Sequence, residues 1–348
     1  MATATPTAVP TPRATATPLP TATPAVTSTP TQTPTATATP TSTSTTTPPT
    51  PTVTPTVEKR ASVLDDGTIL TIYGRAFGTA PILGLLGQYK SFDAMQADVE
   101  KRFYPAIKAN NGGRPIVPMV HVIYALATPC SPNDDCLLYL EGAKVDVVKE
   151  YIEPAQKRGW EVVLDSQIGR SDPVTQVKRM IDRGYLQYEN VHVALDPEFH
   201  ADPGKKIGQI EAAQLDEAQK LLDDYVRQQG LKRRKMLIVH QFGDPEVNDG
   251  VPFMILNKKS LRTFPNVDLV LCADGFGSPD SKISKYNAML NPDVYPFVKY
   301  RAIKLFTPNA DAPNMYDKPQ VEWEVLAGKK KTPGGVQIRW PPNVVVVA

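Results

Sequence analysis

Two carboxylates lie two residues apart at Asp196-Pro197-Glu198, directly after an apolar run at 191–195. In an extended strand, residues i and i+2 point to the same face, so both acids should project from one strand end into a shared space. Pro197 would then point away, and a strand end tolerates its missing N–H. Two close carboxyl groups shift each other's pKa and can act as a general acid and its partner. The motif therefore predicts acid/base chemistry.

Eight short apolar runs in residues 58–348 could form the strands that position this motif. Most of the runs are almost continuously apolar, which is typical of parallel strands covered by helices on one face and by a packed interior on the other. The predicted strands are 68–73, 116–124, 161–165, 191–195, 236–240, 267–273, 301–306 and 336–340. The acidic motif follows the fourth of them.

Helical patterns fill most of the connections between these strands. Residues 92–109 form a predicted helix with Ser91 as N-cap, and further apolar stripes end before Gly159, Gly184 and Gly230. The connections at 256–264 and 281–290 look shorter and irregular. Repeated alternation of strand and helix predicts an α/β protein with a (β/α)8 TIM barrel. A doubly wound open sheet is the alternative, but no Gly-rich phosphate loop follows the first strand.

Residues 1–57 have a different composition and define a separate segment. Thr and Pro dominate it, Arg13 is its one charged residue, and it has no aromatic residue. Such a segment cannot bury enough apolar surface to offset the entropy of ordering, so we expect a disordered tether ahead of a barrel domain at 58–348. Thr/Pro-rich stalks are typical of secreted or surface-held proteins. A disulfide between Cys130 and Cys136 would agree with that oxidising environment.

The overall charge and hydropathy exclude several classes of partner. The formal net charge is +2 over 348 residues, a balance that argues against nucleic acid or an anionic membrane surface as the main partner. No apolar run reaches the roughly 18 residues of a membrane-spanning helix. We expect an extracellular or cell-surface protein that is a monomer.

In a barrel of this kind, functional residues lie at the C-terminal ends of the strands. Acids, amides and aromatic residues converge there, as in a sugar-binding cleft. The predicted substrate-binding residues are Tyr73, Tyr124, Asp165, Gln167, His240, Gln241, Asp274, Lys304, Arg339 and Trp340. Trp340 is a candidate stacking platform for a pyranose ring.

The barrel order and the motif on strand 4 resemble (β/α)8 glycoside hydrolases with an Asp-x-Glu motif, namely chitinases of the family 18 type and lysozymes of the family 25 type. The resemblance implies that Glu198 is the catalytic acid and Asp196 its partner. The longer chitinase signature with upstream acids is not met. Breaking a glycosidic bond with two carboxyl groups requires no cofactor. We therefore expect a secreted or surface-tethered glycoside hydrolase-like protein that acts on a polysaccharide or a peptidoglycan-type cell-wall glycan.

Three alternatives remain open at the level of sequence. The barrel could be a non-catalytic glycan-binding surface protein, and the two acids could belong to a structural ion-pair network with Lys304, Arg339 or Arg75. The third alternative is a metal site built from histidines on or near the strands. No His-x-His pair follows strand 1, and His121 precedes the end of strand 2 by several residues, so we predict no metal. The histidines considered are His121, His192, His200 and His240.

Overall fold

The computed structural model of the chain describes residues 60–79, 84–131, 134–200, 207–243, 254–308 and 316–348. Within them, eight parallel strands form a closed barrel, because each strand pairs with the next and β8 pairs with β1. The strands are β1 (Thr68–Gly74), β2 (Ile116–Ala127), β3 (Glu161–Ser166), β4 (Val191–Leu195), β5 (Lys235–Gln241), β6 (Val267–Ala273), β7 (Tyr300–Leu305) and β8 (Val344–Val347). The expected TIM-like closed barrel is confirmed.

The eighth predicted strand is wrong, whereas the first seven are confirmed. Residues 336–340 form no strand, and β8 is the run of four valines at Val344–Val347. Pro341 and Pro342 explain the difference, since proline lacks the N–H that a central strand must donate and so lies before the strand. Residues 339 and 340 therefore precede β8 instead of ending it.

Helices cover the outside of the barrel but do not follow every strand. The helices are α1 (Val63–Asp66), α2 (Phe92–Arg102), α3 (Tyr104–Asn110), α4 (Glu153–Arg158), α5 (Pro173–Asp182), α6 (Ala212–Gln228), α7 (Pro279–Met289) and α8 (Trp323–Leu326). The Ser91 hydroxyl caps α2 as expected, but the predicted helix 92–109 divides at Phe103. Contrary to expectation, the connection at 281–290 is mostly the regular helix α7.

Smaller elements complete the described fold. A short strand at Leu137–Tyr139 pairs antiparallel with the end of β2, and Ile210–Glu211 pairs with Ile255–Leu256. A disulfide joins Cys130 to Cys136 in the loop after β2. In the described part of the connection between β5 and β6, the helical structure is one 3-10 turn at Lys258–Ser260. None of the described helices is long and apolar enough to cross a membrane, and the predicted tether at 1–57 lies outside the described residues.

Alternate residues of each strand face the barrel interior, as the period of two requires. Apolar residues fill much of the interior, among them Ile69, Met119, Val163, Ala194, Ile238, Val270, Ala302 and Val344. The other face of each strand packs against the helices in a larger apolar cluster. Both layers hold the strands in register, so that polar residues can be placed at the barrel ends.

The N-terminal end of the barrel has its own polar contacts. The Ser62 hydroxyl donates to Asp268 Oδ2 at 2.6 Å, and Arg233 pairs with Glu161 at 2.7 Å. His192 Nε2 lies 3.3 Å from Glu161 Oε2. His192 therefore shares the interior face with Asp196 but belongs to the opposite end of the barrel, where these contacts close the structure.

The corrected position of β8 can be tested with one isosteric substitution at two sites. We expect Val344→Thr to lower the free energy of unfolding by about 1–3 kcal/mol, because it buries a hydroxyl in the apolar interior between Ile69 and Ala302. The matched Val336→Thr lies outside the barrel at a partly buried position and should cost less. Chemical denaturation measures both values, and equal costs at the two sites would contradict the assignment.

Candidate active site

Seven polar or aromatic side chains converge inside the barrel at the C-terminal ends of the strands. None of them is more than 6% exposed. They are Tyr73 on β1, His121 on β2, Asp165 on β3, Asp196 after β4, His240 on β5, Asp274 after β6 and Lys304 on β7. Six of the seven are residues that the sequence predicted for the site.

Five of these side chains form a continuous buried charge network, defined here as His121, Asp165, His240, Asp274 and Lys304. His121 Nε2 lies 3.0 Å from Asp165 Oδ2. His240 Nδ1 lies 2.9 Å from Asp274 Oδ2, and Lys304 Nζ donates to the same oxygen at 2.9 Å. His240 Nε2 lies 3.4 Å from Asp165 Oδ2 and so links the two carboxylates.

The carboxylates of the network are held in the ionised state. Burial alone would raise the pKa of Asp165, but the hydrogen bond from His121 and the nearby His240 imidazole hold it well below its ordinary value. Burial is likewise overcome at Asp274, whose pKa is lowered by the charge of Lys304 and by His240. Two buried carboxylates are thus matched by cationic partners.

The basic members of the network divide into two cations and one neutral ring. Burial opposes the charged forms of Lys304 and His240, yet Asp274 raises the pKa of Lys304, and Cys272, Asp165 and Asp274 raise that of His240 well above normal. Burial lowers the pKa of His121 to about 4. A neutral His121 beside an ionised Asp165 must carry its proton on Nε2, where it donates to the carboxylate.

Tyr73 forms one wall of the site. Lys304 Nζ lies 3.8 Å from the centre of its ring, and the imidazole centres of His121 and His240 lie 5.0 and 5.7 Å away. Burial raises the pKa of Tyr73, and the nearby carboxylates, first among them Asp165, add to the effect. Tyr73 therefore stays a phenol and can donate a hydrogen bond.

The Asp-Pro-Glu motif leaves the strand as a tight turn. β4 ends at Leu195, Pro197–Phe199 forms a 3-10 turn, and Asp196 Oδ1 accepts a hydrogen bond from the Glu198 N–H at 3.3 Å. The sequence predicts that Asp196 and Glu198 share one face of an extended strand. The position of Glu198 is instead determined by the 3-10 turn. Gly208 packs against this turn so closely that a Cβ would collide with the Pro197 carbonyl oxygen.

Asp196 and Glu198 differ electrostatically from the two carboxylates of the network. No ion pair joins either of them to a described residue. Burial raises the pKa of Asp196 to about 6. Burial, followed by the charges of Asp196 and Asp274, raises the pKa of Glu198 to about 8. Glu198 is also partly exposed, whereas Asp196 is 2% exposed, so Glu198 is the outer of the two carboxyl groups. With a pKa of about 8, Glu198 holds a proton near neutral pH.

Three predicted residues of neighbouring strands lie near this end but outside the converging set. The Tyr124 hydroxyl donates to Glu141 at 2.9 Å on the helix-facing side of β2. The Gln167 side-chain oxygen accepts from the Ala127 N–H at 2.8 Å. Gln241 follows inward-facing His240 and so points to the other face of β5.

Arg339 and Trp340 are not brought to the site, because they precede β8. Arg339 is exposed, and its N–H donates to Asn287 Oδ1 at 2.9 Å. The Trp340 ring lies 5.4 Å from the Arg301 guanidinium, near the beginning of β7. The expectation that these residues end strand 8 at the barrel mouth is wrong, for the same reason that the strand itself was misplaced.

His121 is a site residue that the sequence interpretation missed. The sequence predicts a position several residues before the end of strand 2, yet the register pairs His121 with Tyr73 of β1 and with Val163 of β3. Strand β2 simply continues beyond the barrel end to Ala127. The inward alternation of Met119, His121 and Ile123 was readable, but the relative height of neighbouring strands was not. Cys272 also faces the interior next to His240.

Comparison with known proteins gives no family assignment. No protein-family model matches the chain, and no curated protein is significantly similar to it. The function must therefore be inferred from the geometry of the site.

The Asp274–Lys304 pair should be a main determinant of stability at this end. We expect Asp274→Asn to lower the free energy of unfolding by about 3–5 kcal/mol, because it leaves a buried ammonium group without a counter-charge. Adding Lys304→Met should recover part of that loss. Asp224→Asn, which removes surface pairs with Lys220 and Arg227 on α6, is the control and should leave the melting temperature unchanged. Equal effects in the three variants would contradict the role of the network.

Proposed function

We propose that the protein is a glycoside hydrolase-like enzyme that uses Glu198 as general acid and Asp196 as its partner. One observation supports this most directly. Of the four carboxyl groups at the barrel mouth, Asp165 and Asp274 are matched by cations, while Asp196 and Glu198 have no ion-pair partner among the described residues. A carboxyl group that keeps its proton at neutral pH is what protonation of a leaving oxygen requires.

The chemistry follows from the positions of the two acids. Glu198, partly exposed at the turn after β4, gives its proton to the glycosidic oxygen as the bond from that oxygen to the anomeric carbon breaks. Asp196, buried behind it, supplies negative charge that helps to stabilise an oxocarbenium-like centre. A water molecule bonds to the anomeric carbon, provides the hydroxyl of the new reducing end and releases its other proton to solvent. The Glu198 carboxylate then recovers its proton from solvent.

An exposed aromatic residue supports a sugar as the substrate. Phe276 is 47% exposed, although it is a large apolar side chain, and it lies two residues after Asp274. Its ring centre lies 6.0 Å from that of Phe306, two residues after Lys304. Aromatic faces at the mouth of a barrel stack on the apolar faces of pyranose rings. Phe276 thus takes the role that the sequence suggested for Trp340.

Two sequence features favour a polysaccharide or cell-wall glycan outside the cell. The Thr/Pro-rich composition of residues 1–57 is typical of a stalk that holds a domain at a distance from a surface. The disulfide between Cys130 and Cys136 agrees with an oxidising compartment. A non-catalytic glycan-binding protein is the second candidate, because the aromatic surface and buried network would serve binding as well.

Removing the acid should separate these two functions. We expect Glu198→Gln to reduce hydrolysis of chitin, peptidoglycan or other glycan fragments by about 10²–10⁴-fold, since the amide cannot donate the acid's proton. Glycan binding and melting temperature should stay close to those of the wild type. Glu217→Gln, at an exposed position of α6, is the matched control and should be fully active. Glycan binding without turnover by the wild type would instead support the binding protein.

The pH dependence of turnover provides a second test. Because Glu198 must be protonated and its pKa is raised to about 8, kcat/KM should fall as the pH rises above about 8. Asp196→Asn removes one of the charges that raise this pKa, so its residual activity should begin to fall at lower pH. Profiles of kcat/KM against pH for both proteins measure the effect. An alkaline limb that Asp196→Asn does not move would contradict the assignment of Glu198.

A further inference from the structure

We propose that His121, Asp165 and His240 bind a divalent transition metal ion, for which Zn²⁺ is the best-suited candidate. This cluster lies deeper in the barrel than Glu198 and is formed by β2, β3 and β5. The proposal goes beyond glycan hydrolysis and does not depend on it. It adds an ion-binding site to the buried charge network, in which some polar atoms have no hydrogen-bond partner.

The distances among the three side chains agree with shared coordination. His121 Nε2 and His240 Nε2 lie 3.0 and 3.4 Å from Asp165 Oδ2, and one donor atom from each residue lies within 4.8 Å of the other two. Two ligand atoms that bind zinc tetrahedrally, each at about 2.0–2.1 Å, are separated by about 3.3 Å. Two nitrogens and one carboxylate oxygen are donors that zinc prefers over magnesium or calcium.

Unsatisfied polar atoms point to a missing partner in this place. All three side chains are 0% exposed, yet His240 Nε2 and Asp165 Oδ1 make no hydrogen bond. His240 Nε2 is close to Asp165 Oδ2 without the geometry of a hydrogen bond to it. Buried polar atoms without partners are rare in folded proteins. A metal ion between the three residues would engage the His240 nitrogen directly.

The surrounding residues would orient the ligands. Asp274 lies 2.9 Å from His240 Nδ1, and Lys304 in turn binds Asp274. A carboxylate that accepts the Nδ1 proton of a histidine leaves Nε2 free for a metal, and this arrangement is common around zinc. The Asp274–Lys304 pair thus serves as the outer support of the His240 ligand.

Carboxyl groups surround the proposed ion. Asp165 is itself one of the three ligands, and the carboxyl groups of Asp196 and Asp274 lie close to His240. Three protein ligands leave one tetrahedral position open, which is the pattern of zinc sites that activate a bound water molecule.

The experiment measures Zn²⁺ binding by the full chain in the absence of any glycan. The purified protein is stripped with a chelator and dialysed, and Zn²⁺ is then titrated calorimetrically, with elemental analysis of the product. We expect one Zn²⁺ per chain and no comparable binding of Mg²⁺. Asp274→Asn should weaken Zn²⁺ binding by about 10–100-fold, as changes to groups that orient a ligand do. His121→Gln and His240→Gln should weaken it more than Asp274→Asn does.

His192→Gln is the matched control, because His192 is equally buried and lies beside a carboxylate, Glu161, at the other end of the barrel. It should bind Zn²⁺ as the wild type does. Thermal unfolding of each variant shows which of them are folded. The proposal is overturned if the folded wild type binds no stoichiometric Zn²⁺, or if folded His121→Gln and His240→Gln bind it unchanged. Because no turnover is measured, neither outcome depends on the role of Glu198.

Discussion

Lys304 places an ammonium group inside the barrel, and a buried charge of this kind is tolerated only beside an opposite charge. Asp274 supplies that charge and also contacts His240, which reaches Asp165 and through it His121. Each member of this chain belongs to a different strand or strand end. The network can therefore form only when the strands close in the correct register, so the same contacts define the fold and the site.

The network determines what the remaining acids can do. Among the described residues its cations pair with Asp165 and Asp274, and burial is the main cause that raises the pKa values of Asp196 and Glu198. The charges of Asp196 and Asp274 add to the effect at Glu198. This division separates two kinds of carboxyl group within one barrel mouth. The pKa values of the inner pair are lowered, whereas those of the outer pair are raised. The exposed Phe276 follows Asp274 by two residues.

The sequence was sufficient for the parts of the structure that depend on local pattern. Continuous apolar runs located seven of the eight strands, and the strand ends supplied Asp165, Asp196, His240, Asp274 and Lys304. The sequence was insufficient for residues whose positions depend on the register between strands or on tertiary packing. The height of His121 relative to its neighbours depends on the stagger of the barrel, and the turn that places Glu198 depends on packing against Gly208. The predicted last strand is wrong because two runs with apolar residues, 336–340 and 344–347, flank Pro341 and Pro342, and only the second forms the strand.

The central claim is that Glu198 holds a proton at neutral pH because burial, followed by the charges of Asp196 and Asp274, raises its pKa. The most direct measurement is a pH titration of its carboxyl carbon by ¹³C NMR, with the signal assigned by its loss in Glu198→Gln. The account predicts a midpoint near pH 8. A midpoint near 4.5, the ordinary value for a glutamate, would show that Glu198 is ionised at neutral pH and would contradict the account.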